Sequence, residues 1–470
     1  MMSGESMSAV LETPTAELSG FRELLHLAWP LVLNNSVWTL QIFTDRALVS
    51  HHRADEFAAT LNAMVFYWAL FNLFFHTTGY VATFVAQYTG AGRPERIGPV
   101  VGQALYTAVI GGIVFLAIIP LIGPMFAAMD KGSGLDHLES AYFRCLCFGA
   151  LPYLVTSAVN GFFIGRGDSR TVLCVTTVTL VVNAGLAACW IFGYCGFPEW
   201  GIVGAGCATA TAQWITAAIG LILLTRPRHR KQFCTGECWR FDAPLFLRLL
   251  RFGLPNGVVP AVETSAFAVL ILVIKWLGTV ELAATNMALT LNIVAILPVM
   301  GVGQAVEVLV GRYQGENRPD LSARRAYMGL AVAGGMMTMM ATAYYLIPGT
   351  LLLPFQSEAT TDEIAVAKVL LRFVAFYSLF DSANLVFSFA LRGAGDTRFV
   401  MRMIAVLPWV GMVLPAWLGY RAGWGLHWTW TVLSGYIALL AVIFFMRFRH
   451  GAWRSMRVIE GAGEEERSDR

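Results

Sequence analysis

The sequence predicts an all-α polytopic membrane protein, with about twelve transmembrane helices in two six-helix bundles related by an internal repeat. Three observations carry that reading. The chain is 57% apolar and only 13% charged, about half the charged fraction of a soluble domain. Apolar runs of roughly 20 residues or more recur along it, each long enough to cross a hydrocarbon core of about 30 Å, and too long for barrel strands. Finally, landmarks return at a fixed interval. Pro30 is answered by Pro255, EFAATLNAM from Glu56 by ELAATNMAL from Glu281, and YTGAGRPE from Tyr88 by YQGENRPD from Tyr313, each 225 residues on. GRGDSR from Gly165 is answered by GAGDTR from Gly393, with a shift of 228. A chain built from two copies of one unit is the expectation.

In order along the chain, residues 1–23 form a polar N-terminal segment and 24–225 an N-lobe. A linker follows at 226–245, then a C-lobe at 246–450 and a polar tail at 451–470, ending in GEEERSDR and expected to be disordered. Apolar runs fall at 24–50, 57–87, 99–128, 139–165, 171–195 and 201–225 in the first copy. In the second they fall at 246–277, 282–312, 324–354, 364–391, 399–420 and 424–448. The linker carries Arg226, Arg228, His229, Arg230, Lys231 and Arg240. Arginines also follow the second, fourth, eighth and tenth runs, while Asp55, Glu56, Asp130, Asp136, Glu199, Glu358, Asp362 and Glu363 lie in the alternate loops. By the positive-inside rule both termini and the linker face the cytoplasm. That rule accounts for the basic loops, so no nucleic-acid partner is implied; the lipid bilayer is the partner the composition demands. Cys234 and Cys238 read as ordinary thiols, with no second pair to complete a zinc site.

Within the spans, polar residues stand out. On the first, Asn34, Trp38, Gln41 and Asp45 step by four, three and four along one helical face. Arg46 points elsewhere and is expected to snorkel outward. The fourth span carries Tyr153, Ser157 and Asn160, and the fifth Thr176, Thr179 and Asn183; either file serves equally well as interhelical glue. Glu263 in the seventh span and Asp381 in the tenth lie near the bilayer midplane. Tyr377, Asn384 and Ser388 extend the Asp381 file. A charged carboxylate at that depth costs ~2.5–3.5 kcal/mol even on insertion scales, which makes it a functional candidate. The repeat sharpens the choice: Asp45 maps onto Leu270, Glu263 onto Trp38, and Asp381 onto Tyr153, so each acid occurs in one copy only. Asp168 and Asp396 occur in both and read as turn or helix caps. Glu307 is expected to form a peripheral ion pair with Arg312. Pro30 and Pro255 remove a helical donor and are the expected bending points.

No enzyme is indicated. There is no GxSxG elbow, no Walker A loop and no His pair at zinc spacing, and no cofactor is called for. Two six-span bundles, Pro30 in the first span, TGAGRPE after the second, RGDSR after the fourth and LRGAGDTR after the tenth together resemble the multidrug and toxic compound extrusion (MATE) family, in its NorM-type bacterial branch. The resemblance spans roughly residues 20–450. It implies a monomeric antiporter of a bacterial cytoplasmic membrane that exports small organic cations against H⁺ or Na⁺ by rocking two lobes about a central cleft. Glu263 and Asp381 fall at the family's C-lobe cation site, where they would also hold Na⁺. Asp45, Asn160 and Asn183 match its N-lobe polar site. Arg46 after Asp45 and Ala187 in the fifth span depart from the family pattern. A flippase for lipid-linked saccharides is the alternative, and would be expected to carry a basic cavity.

Overall fold

A computed structural model describes residues 14–129, 134–356 and 359–460; the expectations for residues 1–13, 461–470, Asp130 and Glu358 lie outside them. The first copy comprises α1 (Pro14–His52), α2 (Ala54–Gly79), α3 (Val81–Gly90), α4 (Ile97–Met129), α5 (Asp136–Gly165), α6 (Ser169–Phe192) and α7 (Gly201–Leu224). A short α8 (Pro227–Phe233) lies in the linker. The second copy comprises α9 (Ala243–Leu277), α10 (Thr279–Gly315), α11 (Pro319–Leu346), α12 (Pro348–Leu351), α13 (Thr361–Ala394), α14 (Thr397–Leu407), α15 (Leu414–Arg421) and α16 (Gly425–His450). Among the described residues, ten helical segments are long and apolar enough to cross a membrane, α2 running into α3 and α14 into α15. Helices α1 and α13, of 39 and 34 residues, stand where the two remaining spans were expected.

Boundaries moved where local chemistry dictates. The N-terminal segment is helical from Pro14, so α1 begins inside the stretch expected to precede the first span. Gly193, at φ +71°, ends α6 three residues early, and Pro348 stops α11 well before residue 354. Pro408 opens a π-helical turn, Pro408–Val413, between α14 and α15. The helices run unbroken through Pro30 and Pro255.

The repeated motifs become matched backbone devices. In GRPE and NRPD, Gly92 (φ +68°) and Asn317 (φ +61°) take the left-handed conformation. The next residues, Arg93 and Arg318, donate their amides to the carbonyls of Tyr88 and Tyr313 at 3.0 and 2.9 Å, closing each helix with a left-handed cap. Asp168 caps α6, accepting from the amide and hydroxyl of Thr171. Asp396 stands at the same place before α14 but turns to Arg447, 2.8 Å away, and leaves the cap unmade.

The lobes interlock at the end that carries the basic loops. Leu24, Leu27, Ala28 and Leu31 of α1 belong to the C-lobe core, while Leu245 and Leu249 of α9 belong to an N-lobe cluster. Each copy therefore sends the start of its first helix into the other. Close helix crossings repeat the exchange: a Cβ on Gly90 would strike the Arg312 carbonyl, and one on Gly315 the Gln87 carbonyl. These two contacts are related by the same 225-residue interval. Glycine is required at both because backbone meets backbone.

The linker is a structured element. Thr235 donates to the Leu224 carbonyl at the end of α7, while Tyr106 donates to the Trp239 carbonyl and Gln103 to that of Arg240, fastening the linker to α4. Burial against Phe162 and Phe163, with Arg166, Arg226 and Arg228 nearby, holds the His229 imidazole below the ordinary histidine range. The tail is likewise not disordered up to residue 460. Gly451 (φ +79°) ends α16, Ala452–Ser455 make a 3-10 turn, and Trp453, Val458 and Ile459 are buried.

Candidate functional site

Each lobe gathers polar groups inside its bundle, with different chemistry. In the N-lobe a cleft lies between α1, α2, α5 and α7. Trp38, Gln41 and Asp45 line it from one face of α1, as their spacing predicts. Tyr67 and Trp68 come from α2, Tyr153 from α5, and Thr209 and Gln213 from α7. The rings pack edge to face: Trp38 on Trp68 at 5.8 Å between centroids, and Trp68 on Tyr153 at 6.2 Å. Trp38 Nε1 donates to the Tyr153 hydroxyl at 2.9 Å, which fixes both rings.

Asp45 is the one ionisable carboxylate or base in that lining. It is 8% exposed, and its Oδ1 is buried without a hydrogen-bond partner among the described residues. Asn183 of α6 and Thr209 flank it, and Asn183 Nδ2 donates to the Thr209 hydroxyl at 3.3 Å. The Asn183 Oδ1 is also buried and unpartnered. A buried acceptor left unpaired is costly, so this corner is built to receive a donor or a cation. Arg46 is exposed and forms no ion pair among the described residues, as its helical position predicts.

In the C-lobe, Asp381 of α13 is 7% exposed and accepts from Asn384 Nδ2, one turn on, at 3.0 Å. Glu263 of α9 is half-buried and has no hydrogen bond to another described residue. It lies within electrostatic reach of Asp381 and of Arg392. Tyr377 lies beside Asp381, and Tyr436 of α16 faces both acids. Two carboxylates repelling each other inside a bundle favour whatever cation neutralises them. The described residues contain no cluster of three or more His, Cys, Asp or Glu side chains at metal-binding range. Any ion held here would thus draw on Asn384, Tyr377 or water as well.

Not every expected residue joins these groups. Asn160 is absent from the N-lobe lining; it sits one turn above Gly165, at the opposite end of the bundle from Asp45. Glu307 does not pair with Arg312, which is held by Glu23 and Glu316. Instead it accepts from Thr83 of α3 at 3.0 Å, across the lobe interface. Thr209, Gln213 and Tyr436 were not singled out from the sequence. Gln213 alone left a signal there, as a lone amide in an apolar span.

Comparison with known proteins decides the family. The MatE family model matches residues 30–189 and again 255–417, two matches whose starts are 225 residues apart. The chain belongs to the MatE family. Among its relatives is a probable multidrug resistance protein NorM of Brucella suis, 27% identical over 432 residues that cover 90% of this chain and 92% of that one. Another, from Xanthomonas axonopodis pv. citri, is 29% identical over 463 residues, covering 95% and 98%. Among solved structures, the outward-facing conformation of a multidrug resistance MATE family transporter of the MOP superfamily superposes with a TM-score of 0.85 at 20% identity, covering 93% of this chain and 97% of that one. A second MATE, in complex with MaL6, gives 0.84 at 19% identity, covering 93% and 98%. The MatE fold, two lobes of six spans, is therefore the fold of this chain.

Proposed function

We propose that this MatE protein is an exporter of flat, lipophilic organic cations, driven by exchange against H⁺ or Na⁺ across a bacterial cytoplasmic membrane. The observation that carries the reading is the N-lobe cleft: a buried carboxylate with one unpartnered oxygen, set in a wall of aromatic rings. Ring faces attract a cation by about 0.5–2 kcal/mol each, and Asp45 adds charge while its burial demands a partner. No lysine or arginine lines the cleft, which speaks against an anionic lipid headgroup as cargo and so against the flippase alternative.

Coupling is assigned to Glu263 and Asp381. Charged and empty, the pair is expensive inside the bundle, so the lobes exchange between inward-open and outward-open chiefly when it is neutralised. Ion entry from outside and substrate entry from inside then alternate. Pro30 and Pro255 are the bending points this rocking would use. The basic loops support a cytoplasmic position for the interlocked end.

The test is reconstitution. Purified protein in liposomes, given a proton or a sodium gradient separately, should accelerate efflux of a fluorescent lipophilic cation under one of them. Acceleration by neither gradient, with the protein folded, contradicts the proposal. Transport confined to anionic or neutral compounds would point to the flippase instead.

A further inference from the structure

The stretch that follows α16 is built into the interlocked end in a way that transport alone does not call for. It leaves the C-lobe and returns across the interface. Its first part is fastened to the C-lobe. Trp453 stacks on Phe448 at 4.6 Å between centroids and donates its Nε1 to the Phe448 carbonyl. Gln314 of α10, 2% exposed, reaches three carbonyls with one amide nitrogen: Trp453 at 3.2 Å, Arg454 at 2.7 Å and Met456 at 2.8 Å. Its second part belongs to the N-lobe. The Val458 amide donates to Gln87 Oε1 of α3 at 2.9 Å, while Gln87 Nε2 donates to the Gly393 carbonyl of α13 at 3.1 Å. Val458 and Ile459 are buried in the N-lobe cluster that holds Tyr80, Phe84 and Tyr88.

Glu460 completes the span. It accepts from the Tyr88 hydroxyl at 2.6 Å and lies 3.9 Å from Arg96, both in the N-lobe. The oxygen that faces Arg96 also lies 3.7 Å from Arg248 of α9. One carboxylate thus ties the tail to the N-lobe and to the start of α9, which itself packs into that lobe's cluster. Elsewhere the interlock follows the repeat: the Gly90 and Gly315 crossings are copies of one another. The tail has no copy, since the equivalent point of the first unit is the linker.

We propose that Trp453–Glu460 is a latch on the cytoplasmic gate. Docked, it clamps the lobes together at that end and weights the equilibrium toward the outward-facing state. The cytoplasmic end opens only when Val458–Glu460 leave the N-lobe, while Gln314 and Trp453 keep the segment on the C-lobe, poised to return. Gln87 and Glu460 are positioning residues of the cycle, and neither touches cargo. The inference rests on the alternating access proposed above.

Two experiments on the full-length protein decide it. Spin labels attached through non-cysteine chemistry at Lys231 and Arg318 report the separation of the lobes at the cytoplasmic end, with no substrate present. Glu460→Gln, and separately removal of residues 452–470, should raise the share of the open, long-distance population by about tenfold. Glu460→Gln guards against a truncation that does not fold. An unchanged distance distribution in a folded variant overturns the latch. In the second experiment, Arg96→Cys is paired with Glu460→Cys and bridged by a short, reducible bis-methanethiosulfonate linker, each single variant serving as control for the native thiols. Efflux should stop and return on reduction; efflux at the reduced rate from fully cross-linked protein overturns it. The distance measurement needs no transport, so a wild type that moves no organic cation defeats the proposed function without deciding the latch.

Discussion

The two lobes fill one pair of repeated positions with opposite chemistry. Trp38 and Tyr153 meet in the N-lobe through a 2.9 Å hydrogen bond. Their counterparts in the repeat are Glu263 and Asp381, like charges within electrostatic reach of each other in the C-lobe. A neutral, hydrogen-bonded aromatic pair is satisfied by itself, whereas an acid pair is satisfied only by a cation. Conversely, the N-lobe's own acid, Asp45, maps onto Leu270, which is buried in the C-lobe core. Duplication supplied the geometry, and divergence left an aromatic cleft in one lobe and a pair of acids in the other.

If that separation holds, substitutions in the two lobes should fail in different ways. The largest effect is expected from Asp381→Asn, which should abolish gradient-driven efflux while the folded protein still binds a lipophilic cation in equilibrium dialysis. Glu263→Gln should match it, and the double variant should add nothing, because both belong to one site. Next comes Asp45→Asn. Removing the charge in the cleft should weaken cation binding about tenfold, in line with the lower end, ~1.5 kcal/mol, of the worth of charged hydrogen bonds. Titration with a fluorescent cation checks this. Trp68→Ala removes one ring from the wall and should weaken the same binding by roughly 2–30-fold, corresponding to about 0.5–2 kcal/mol of cation–π attraction. The smallest effect is structural: Trp38→Phe leaves the Tyr153 hydroxyl unpaired and should cost about 1 kcal/mol, read as a lowered thermal midpoint with coupling intact.

The sequence disclosed most of the frame, for physical reasons that differ from residue to residue. Span length is set by the bilayer, and Gly92, Asn317, Pro94 and Pro319 are written into local backbone geometry, so periodicity and motif alone reveal them. The acids were legible because a carboxylate in hydrocarbon is an anomaly at any register. Thr209 and Tyr436 were not, since a threonine hydroxyl in a membrane helix commonly bonds its own backbone, as Thr209 does to Ala205, and one tyrosine among many in apolar spans carries no address. Glu307 was misplaced because sequence shows its neighbour Arg312 but not Thr83, more than two hundred residues away. The tail was misread for a similar reason. Val458 and Ile459 are a brief apolar pair in polar company, and their burial depends on a cluster assembled by other helices.

The claim that coupling sits in the C-lobe is tested most directly by one paired measurement. Asp381→Asn and Asp45→Asn, in liposomes of equal protein content, are each compared with wild type for efflux with and without the driving gradient. The account predicts that Asp381→Asn loses the gradient's acceleration altogether, while Asp45→Asn keeps it once substrate is raised about tenfold to offset its weaker binding. Gradient-driven pumping by Asp381→Asn, with Asp45→Asn inert at every substrate concentration, would place coupling in the N-lobe and contradict the account.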